Sequence, residues 1–214
     1  PAHMNIPLMN RLIAAGKWEE SLKVVKRDIA LPAVLGRICP APCEGACHRK
    51  TVDEPVSICL LKRFVGDEND LHPWPVPPLE GKRVAIIGAG PAGLAAAYYL
   101  RLRGVEPHLY DRAPKAGGQL RTAISRDILP EELLDREIRT ILATGVTFNG
   151  NTTIDDRHFE QLRRNYDALI VATGNIDDTT KAFQLAGTAK GIQVTGEGYE
   201  TSEAGIFAIG NVLR

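Results

Sequence analysis

The 214-residue sequence is poor in several things, and each shortage excludes something. Its 26 basic and 26 acidic residues leave no formal net charge, which removes the electrostatic case for nucleic acid or a membrane surface as the main partner. Long apolar runs are missing. The nearest approach, Val84–Leu100, is interrupted by three glycines and a proline and is too short to span a bilayer comfortably. No charged-then-apolar signal stretch opens the chain, so the reading is of a cytoplasmic protein. An initiator Met is also lacking, and the chain stops at Arg214, just past an apolar strand-like segment. Both features lead to the expectation that it is part of a longer protein. Cysteine is scarce too: four residues, of which three fall within one short stretch.

What is present divides the chain in two. Residues 5–30 carry helical apolar spacing in two short runs. Gly16 stops the first, and Pro32 is expected to break the second. Residues 36–53 mix cysteine, proline, glycine and charge and read as loop, and residues 56–67 return to helical spacing. Four prolines between Asn69 and Pro78 read as a stiff extended linker. These features predict a small α-helical domain over residues 1–72, a linker over 73–80 and an α/β domain over 81–214. The α/β domain opens with a strand at Arg83–Ile87, a helix at Leu94–Arg103 and a strand at Val105–Tyr110. Further on come a helix at Pro130–Leu142 and apolar strands at Ala168–Ala172 and Gly205–Ile209.

Gly88-Ala89-Gly90-Pro91-Ala92-Gly93 fits G-x-G-x-x-G between a strand and a helix. The first glycine permits a tight turn, the second lets a pyrophosphate approach the backbone, and the third lets helix and strand pack closely. The phosphates then meet the unpaired N–H groups of a helix N-terminus. Pro91 suits the first helical turn, where its missing N–H is not needed. Asp111 ends the next strand, where a carboxylate accepts from ribose hydroxyls and disfavours a 2′-phosphate. The unit is a Rossmann-like dinucleotide site.

The cysteines are Cys39, Cys43, Cys47 and Cys59. A disulfide framework is out of place without a secretion signal. Spacing alone leaves zinc and iron–sulfur ligation about equal, since both use clustered thiolates.

The stretch Gly36–Cys47, with Pro55-Val56-Ser57-Ile58 and Leu61-Lys62-Arg63-Phe64, resembles the iron–sulfur domain of the glutamate synthase small-chain family. The N-terminal part of dihydropyrimidine dehydrogenase shares this module. Val84–Gly93, Asp111-Arg112, Gly117-Gly118-Gln119-Leu120, Val171-Ala172-Thr173-Gly174 and Ile206–Asn211 follow the order of two-dinucleotide-domain flavoproteins. That resemblance implies FAD at the first fingerprint. It also implies cofactor contacts from Arg112, Gly118, Gln119, Leu120, Thr173, Gly174, Gly210 and Asn211. Asn211 replaces the aspartate usual there, and its amide still hydrogen-bonds a hydroxyl.

For the cysteines the resemblance implies [4Fe-4S] clusters, Cys39 and Cys43 serving one and Cys47 another. The fourth ligand of the first cluster is often Gln or Glu. Lys62 stands at the matching position and cannot ligate while charged, so Cys59, one helical turn earlier, is expected to take that role.

A second fingerprint is missing. Gly196-Glu197-Gly198 is followed by Thr201 where the third glycine would stand. The stretch from Gly174 to Gly205 is much shorter than the roughly one hundred residues of a nucleotide domain. NAD(P) therefore has no evident site in this sequence, and the polar stretch Asn175–Ala182 reads as a shortcut or a join. No catalytic acid or base is assigned. The expectation is an electron-transfer subunit carrying FAD and iron–sulfur, in a hetero-oligomeric complex with a catalytic or ferredoxin-like partner. Two alternatives stand beside it: a self-contained NAD(P)H-dependent flavoenzyme, and a zinc-binding scaffold without redox chemistry.

Overall fold

The computed structural model describes residues 2–68, 76–175, 183–187 and 191–213. They form two compact units. One comprises residues 1–72 and 124–137, the other residues 73–123 and 138–214. Segment 124–137, assigned by sequence alone to the α/β part, thus packs with the helical part.

The first unit holds five α-helices before residue 72: α1 (Ile6–Ala14), α2 (Trp18–Lys26), α3 (Pro32–Ile38), α4 (Pro42–Gly45) and α5 (Ile58–Glu68). Asn5 caps α1 by accepting from Leu8 N at 3.1 Å, and Gly16, at φ +69°, closes its far end. Met9, Val25, Ile29, Ile58 and Val65 form the core. Two expectations are corrected here. Pro32 opens α3 instead of ending the helical region, because proline's missing N–H costs nothing at the first position. The cysteine stretch is not loop throughout, since α4 and a 3-10 turn at His48–Thr51 interrupt it.

Helices α3 and α5 lie backbone to backbone. A Cβ on Gly36 would stand 2.5 Å from Arg63 Cβ, and one on Gly66 would stand 2.8 Å from Ala33 N. This antiparallel register sets the C-terminal end of α3 against the first turn of α5. Cys39 and Cys59 are brought together by it.

The start of α3 has no side-chain cap of its own. Glu137 supplies one from segment 124–137. Its carboxylate accepts from Ala33 N at 3.1 Å and from Val34 N at 2.8 Å. The side chain is fully buried, and burial pushes its pKa from 4.5 to about 7. The Ala33 and Val34 N–H groups and Lys26 oppose that shift. Lys26 is itself buried, donates to Ala30 O at 3.4 Å, and is pulled down to about 8 by desolvation.

The second unit is a five-stranded parallel sheet with strand order β3-β2-β1-β4-β5. The strands are β1 (Arg83–Ile87), β2 (Glu106–Tyr110), β3 (Thr147–Asn149), β4 (Ala168–Val171) and β5 (Ile206–Ala208). Helix α6 (Pro91–Arg101) crosses from β1 to β2. It begins at Pro91, not at Leu94, so the glycine loop runs directly into it. The short α7 (Gln119–Thr122) follows β2, α8 (Glu131–Leu142) precedes β3, and α9 (Asp156–Asn165) precedes β4.

Strand β1 is central and almost wholly buried, as strands covered on both faces are. After β1 the chain builds outward through β2 and β3. It then returns to the other side of β1 for β4 and β5, which makes the end of β1 a topological switch point.

Sequence periodicity missed β3, α7 and α9. Only Phe159 and Leu162 of α9 are buried, so its apolar stripe is too thin to read. Its cap is legible afterwards: Asp155 accepts from His158 N at 2.8 Å. Most of the expected proline linker (69–75) and of the polar stretch 176–182 lies outside the described residues. Among the described residues no helix is long and apolar enough to cross a membrane.

Glu137 gives the first unit a pH signature. Between pH 4.5 and about 7 the folded state keeps a proton that the unfolded state has lost. Stability from this group therefore falls as pH rises through that window. Glu137→Gln should flatten the fall, as read by denaturant unfolding at a series of pH values. Glu137→Ala, which leaves the buried Ala33 and Val34 N–H groups without their acceptor, should cost about 2–5 kcal/mol at neutral pH.

Candidate cofactor sites

The carboxyl ends of β1, β2, β4 and β5 open onto one cleft of about 540 Å³, within the usual range for a ligand site. From the glycine loop it takes Gly88, Gly90, Pro91 and Ala92, and from the end of β2 Asp111 and Arg112. Gly118 and Gln119 come from the loop into α7, Thr173 and Gly174 from the end of β4, and Gly210 and Asn211 from the end of β5. Segments far apart in sequence thus meet where the fold places them. Three expected residues do not line the cleft. Ala89 and Leu120 are buried behind it, and Gly93 packs against the strand. Sequence reading also missed Thr122, Asn175 and Ile209 in the wall.

The three glycines of the fingerprint do different work. Gly88 sits at φ +107°, and a Cβ there would stand 2.3 Å from Ala172 O. On Gly93 a Cβ would stand 1.9 Å from Gly88 O, so the helix closes on the loop only without a side chain. Gly90 is the opposite case: a Cβ there would meet nothing within 4 Å. It caps α6 without any side-chain hydrogen bond. A side chain at Gly90 would fill the space in front of the helix N-terminus, where phosphates are held. This cradle fits a dinucleotide's pyrophosphate.

Asp111 is fixed by the backbone on both sides. Its Oδ2 accepts from Ala89 N at 2.7 Å and its Oδ1 from Ala113 N at 2.8 Å. The carboxylate therefore ties β2 to the glycine loop, and its remaining lone pairs face the cleft. A smaller pocket of about 80 Å³ continues beyond it, walled by Tyr110, Thr152, Ile154 and Phe183.

In the helical unit all four cysteines are free. Cys39 ends α3 and Cys59 lies in the first turn of α5, so the α3–α5 contact brings them near one another, and Cys39 and Cys43 are both close enough to act on the Cys59 thiol. Ala41, held left-handed at φ +53° between two prolines, turns its N–H onto Cys39 Sγ at 3.4 Å. Glu44 Oε1 accepts from Cys59 N at 2.8 Å, which ties α4 to α5.

Burial pushes the Cys59 thiol up to about 11, Lys62 pulls it down, and Cys39 and Cys43 push it up further. Cys47 is set apart from this trio. Backbone N–H groups of Val56, Arg49 and Lys50 hold its thiol below the ordinary range, helped by the Arg49 charge. Among the described residues, no three His, Cys, Asp or Glu side chains converge as they would on a single metal ion. The fit to an iron–sulfur group rests on free thiols near enough to act on one another, with a backbone N–H aimed at Cys39 sulfur.

Comparison with known proteins decides the family. A family described as pyridine nucleotide-disulphide oxidoreductase matches residues 39–214. The chain belongs to this oxidoreductase family. A second description, dihydropyrimidine dehydrogenase domain II, 4Fe-4S cluster, matches residues 1–73. Among curated relatives, the NADP(+)-dependent formate dehydrogenase subunit beta of Moorella thermoacetica is 42% identical over 200 residues. The NADPH-Fe(3+) oxidoreductase subunit beta of Geobacter sulfurreducens is 40% identical over 181 residues. The glutamate synthase [NADPH] small chain of Bacillus subtilis is 36% identical over 179. Each match covers 81% of this chain but only 28%, 27% and 36% of the relative, respectively. The expected resemblance to the glutamate synthase small chain and the α/β fold with a helical iron–sulfur domain are both found. So is the assignment as an oxidoreductase.

Two glycine substitutions separate the cradle from the fold. Gly90→Ala, whose Cβ meets nothing within 4 Å, should cost no more than about 1 kcal/mol, the loss of a good N-cap residue, while dinucleotide content falls at least tenfold. Gly93→Ala should lose about 1–3 kcal/mol or more through overpacking against Gly88. Thermal melts and cofactor release on denaturation measure both.

Proposed function

We propose that this chain is the FAD- and [4Fe-4S]-binding part of an electron-transfer subunit. It passes electrons between NAD(P)H or a partner catalytic subunit and iron–sulfur clusters. The observation that carries the proposal is the presence in one oxidoreductase-family chain of a dinucleotide cleft and a cluster of free thiols. FAD is favoured because the ends of β4 and β5 extend the cleft well past the pyrophosphate cradle, giving a long ligand several strand ends to lie along. Asp111, beside the ribose position, disfavours a 2′-phosphate there.

When bound, a flavin exchanges a hydride with a nicotinamide and single electrons with a cluster, which is the chemistry the protein itself lacks. The chain's residues position it. The N–H groups at the start of α6 hold the pyrophosphate, Asp111 accepts from the ribose, and Thr173 and Asn211 offer side-chain hydrogen bonds further along. Cys39, Cys43 and Cys59 serve one cluster. Cys47, already biased toward thiolate, serves another together with ligands outside the described residues. The partner is a catalytic or ferredoxin-like subunit in a hetero-oligomeric complex, and the setting is cytoplasmic. The relatives' names, each that of a subunit or small chain, support this.

A second reading is favoured by the short coverage of relatives named for NADP or NADPH. In it, the full-length protein oxidises NAD(P)H at its own flavin. Anaerobic addition of NADPH to the full-length protein separates the two. Bleaching of the flavin band without any partner supports the second reading, and no bleaching supports the first.

The proposal is tested on the anaerobically purified protein. Acid release should yield FAD, and iron and labile sulfide should be present in fourfold multiples. Cys59→Ala should lose the four-iron spectrum of one cluster and keep FAD. Zinc in place of iron, or NADP in place of FAD, would defeat the proposal. Normal iron content in Cys59→Ala would remove Cys59 from the ligand set.

A further inference from the structure

One charged side chain is buried beside the thiols. Lys62 is 4% exposed, on the second turn of α5. Its Nζ lies 3.9 Å from Cys59 Sγ, which is its hydrogen-bond partner. Among the described residues it pairs with no carboxylate. The nearby Glu44 carboxylate is engaged instead by Cys59 N. Other charges of this unit are better matched: buried Glu137 has two N–H groups and Lys26, and half-buried Arg37 has a bidentate pair with Asp67 at 2.8 and 2.9 Å.

A buried ammonium facing only sulfur is costly unless the sulfur side carries negative charge. Cys59 lies directly in contact with the Lys62 ammonium, and Cys39 and Cys43 are close enough to Cys59 to act on its thiol. As ligands of an iron–sulfur group, their sulfurs would carry the missing countercharge. The register of α3 against α5, fixed by Gly36 and Gly66, sets the end of α3 that carries Cys39 against the turn of α5 that carries Cys59 and leads to Lys62. Its position on the same helix as Cys59, one turn on, keeps the charge within reach of that sulfur.

We propose that Lys62 is a positioning residue for the iron–sulfur group, a fixed positive charge that holds Cys59 as a ligand and raises the cluster's reduction potential. The inference rests on the reading that Cys39, Cys43 and Cys59 ligate a cluster. Reduction there adds one electron and makes or breaks no bond. The electron comes from reduced flavin in the protein, or from dithionite in a titration. Lys62 favours the reduced form because that form carries one more negative charge. The burial of the site limits screening by solvent and salt.

The experiment is an EPR-monitored redox titration of the full-length protein, with iron and sulfide assays on each variant. Lys62→Met should keep its iron and lower the midpoint of one cluster by about 59 mV or more, a tenfold shift in the one-electron equilibrium. Lys62→Arg should titrate at the wild-type midpoint. An unchanged midpoint in a fully loaded Lys62→Met protein would overturn the proposal. Should Lys62→Met fail to hold the cluster, Lys62→Arg decides: a cluster retained at the wild-type midpoint supports the charge, and its loss overturns it. Wild-type protein free of iron and sulfide would instead overturn the cluster reading, and this inference with it.

Discussion

Backbone packed against backbone, with no Cβ between, is the constraint on which both cofactor sites depend. In the α/β unit, Gly93 lets α6 close onto Gly88, which leaves the first N–H groups of the helix facing an open cradle. In the helical unit, Gly36 and Gly66 let α3 and α5 approach until Cys39 and Cys59 meet. The chemistry at the two sites differs and the steric device is the same. A single methyl group in either contact would force apart elements whose closeness is the site.

Charge is distributed with similar economy. The sequence has no net charge, yet the helical unit buries Lys26, Lys62 and Glu137. Glu137 spans residues distant in sequence by capping α3, the helix that delivers Cys39. Its two N–H donors and Lys26 offset a desolvation cost that still lifts its pKa toward neutrality. Asp111 does the corresponding work in the other unit, binding the glycine loop to the end of β2 through Ala89 and Ala113. In both units a carboxylate reads backbone N–H groups and fixes the geometry of the element that carries the site.

The sequence made much of this legible, and the limits have physical causes. The glycine fingerprint, Asp111, Thr173-Gly174 and Gly210-Asn211 were readable because parallel strands must deliver their loops to one edge of the sheet. Gly90 and Gly93 look alike in sequence, and only packing shows that one faces open space and the other a carbonyl oxygen. Helix α9 escaped notice because two buried residues do not make a stripe, and β3 because three residues do not make a period. Pro32 misled because proline ends helices from within and begins them from the first turn. The placement of residues 124–137 with the helical unit was invisible, since it depends on contacts far apart in sequence, from Glu137 to the start of α3 and from Arg136 to Gly66 and Asp67. Lys62 read only as a ligand that could not ligate. Its burial against sulfur gives it a different part.

The α3–α5 backbone contact builds the thiol site independently of the glycine loop. That independence is tested most directly by measuring iron, labile sulfide and flavin together in anaerobically purified Gly36→Val. The added side chain meets Arg63 Cβ and Cα and must separate the two helices. Iron and sulfide belonging to the Cys39–Cys43–Cys59 site should be lost while flavin content stays at the wild-type level. Full retention of that iron in a folded Gly36→Val protein would contradict the account.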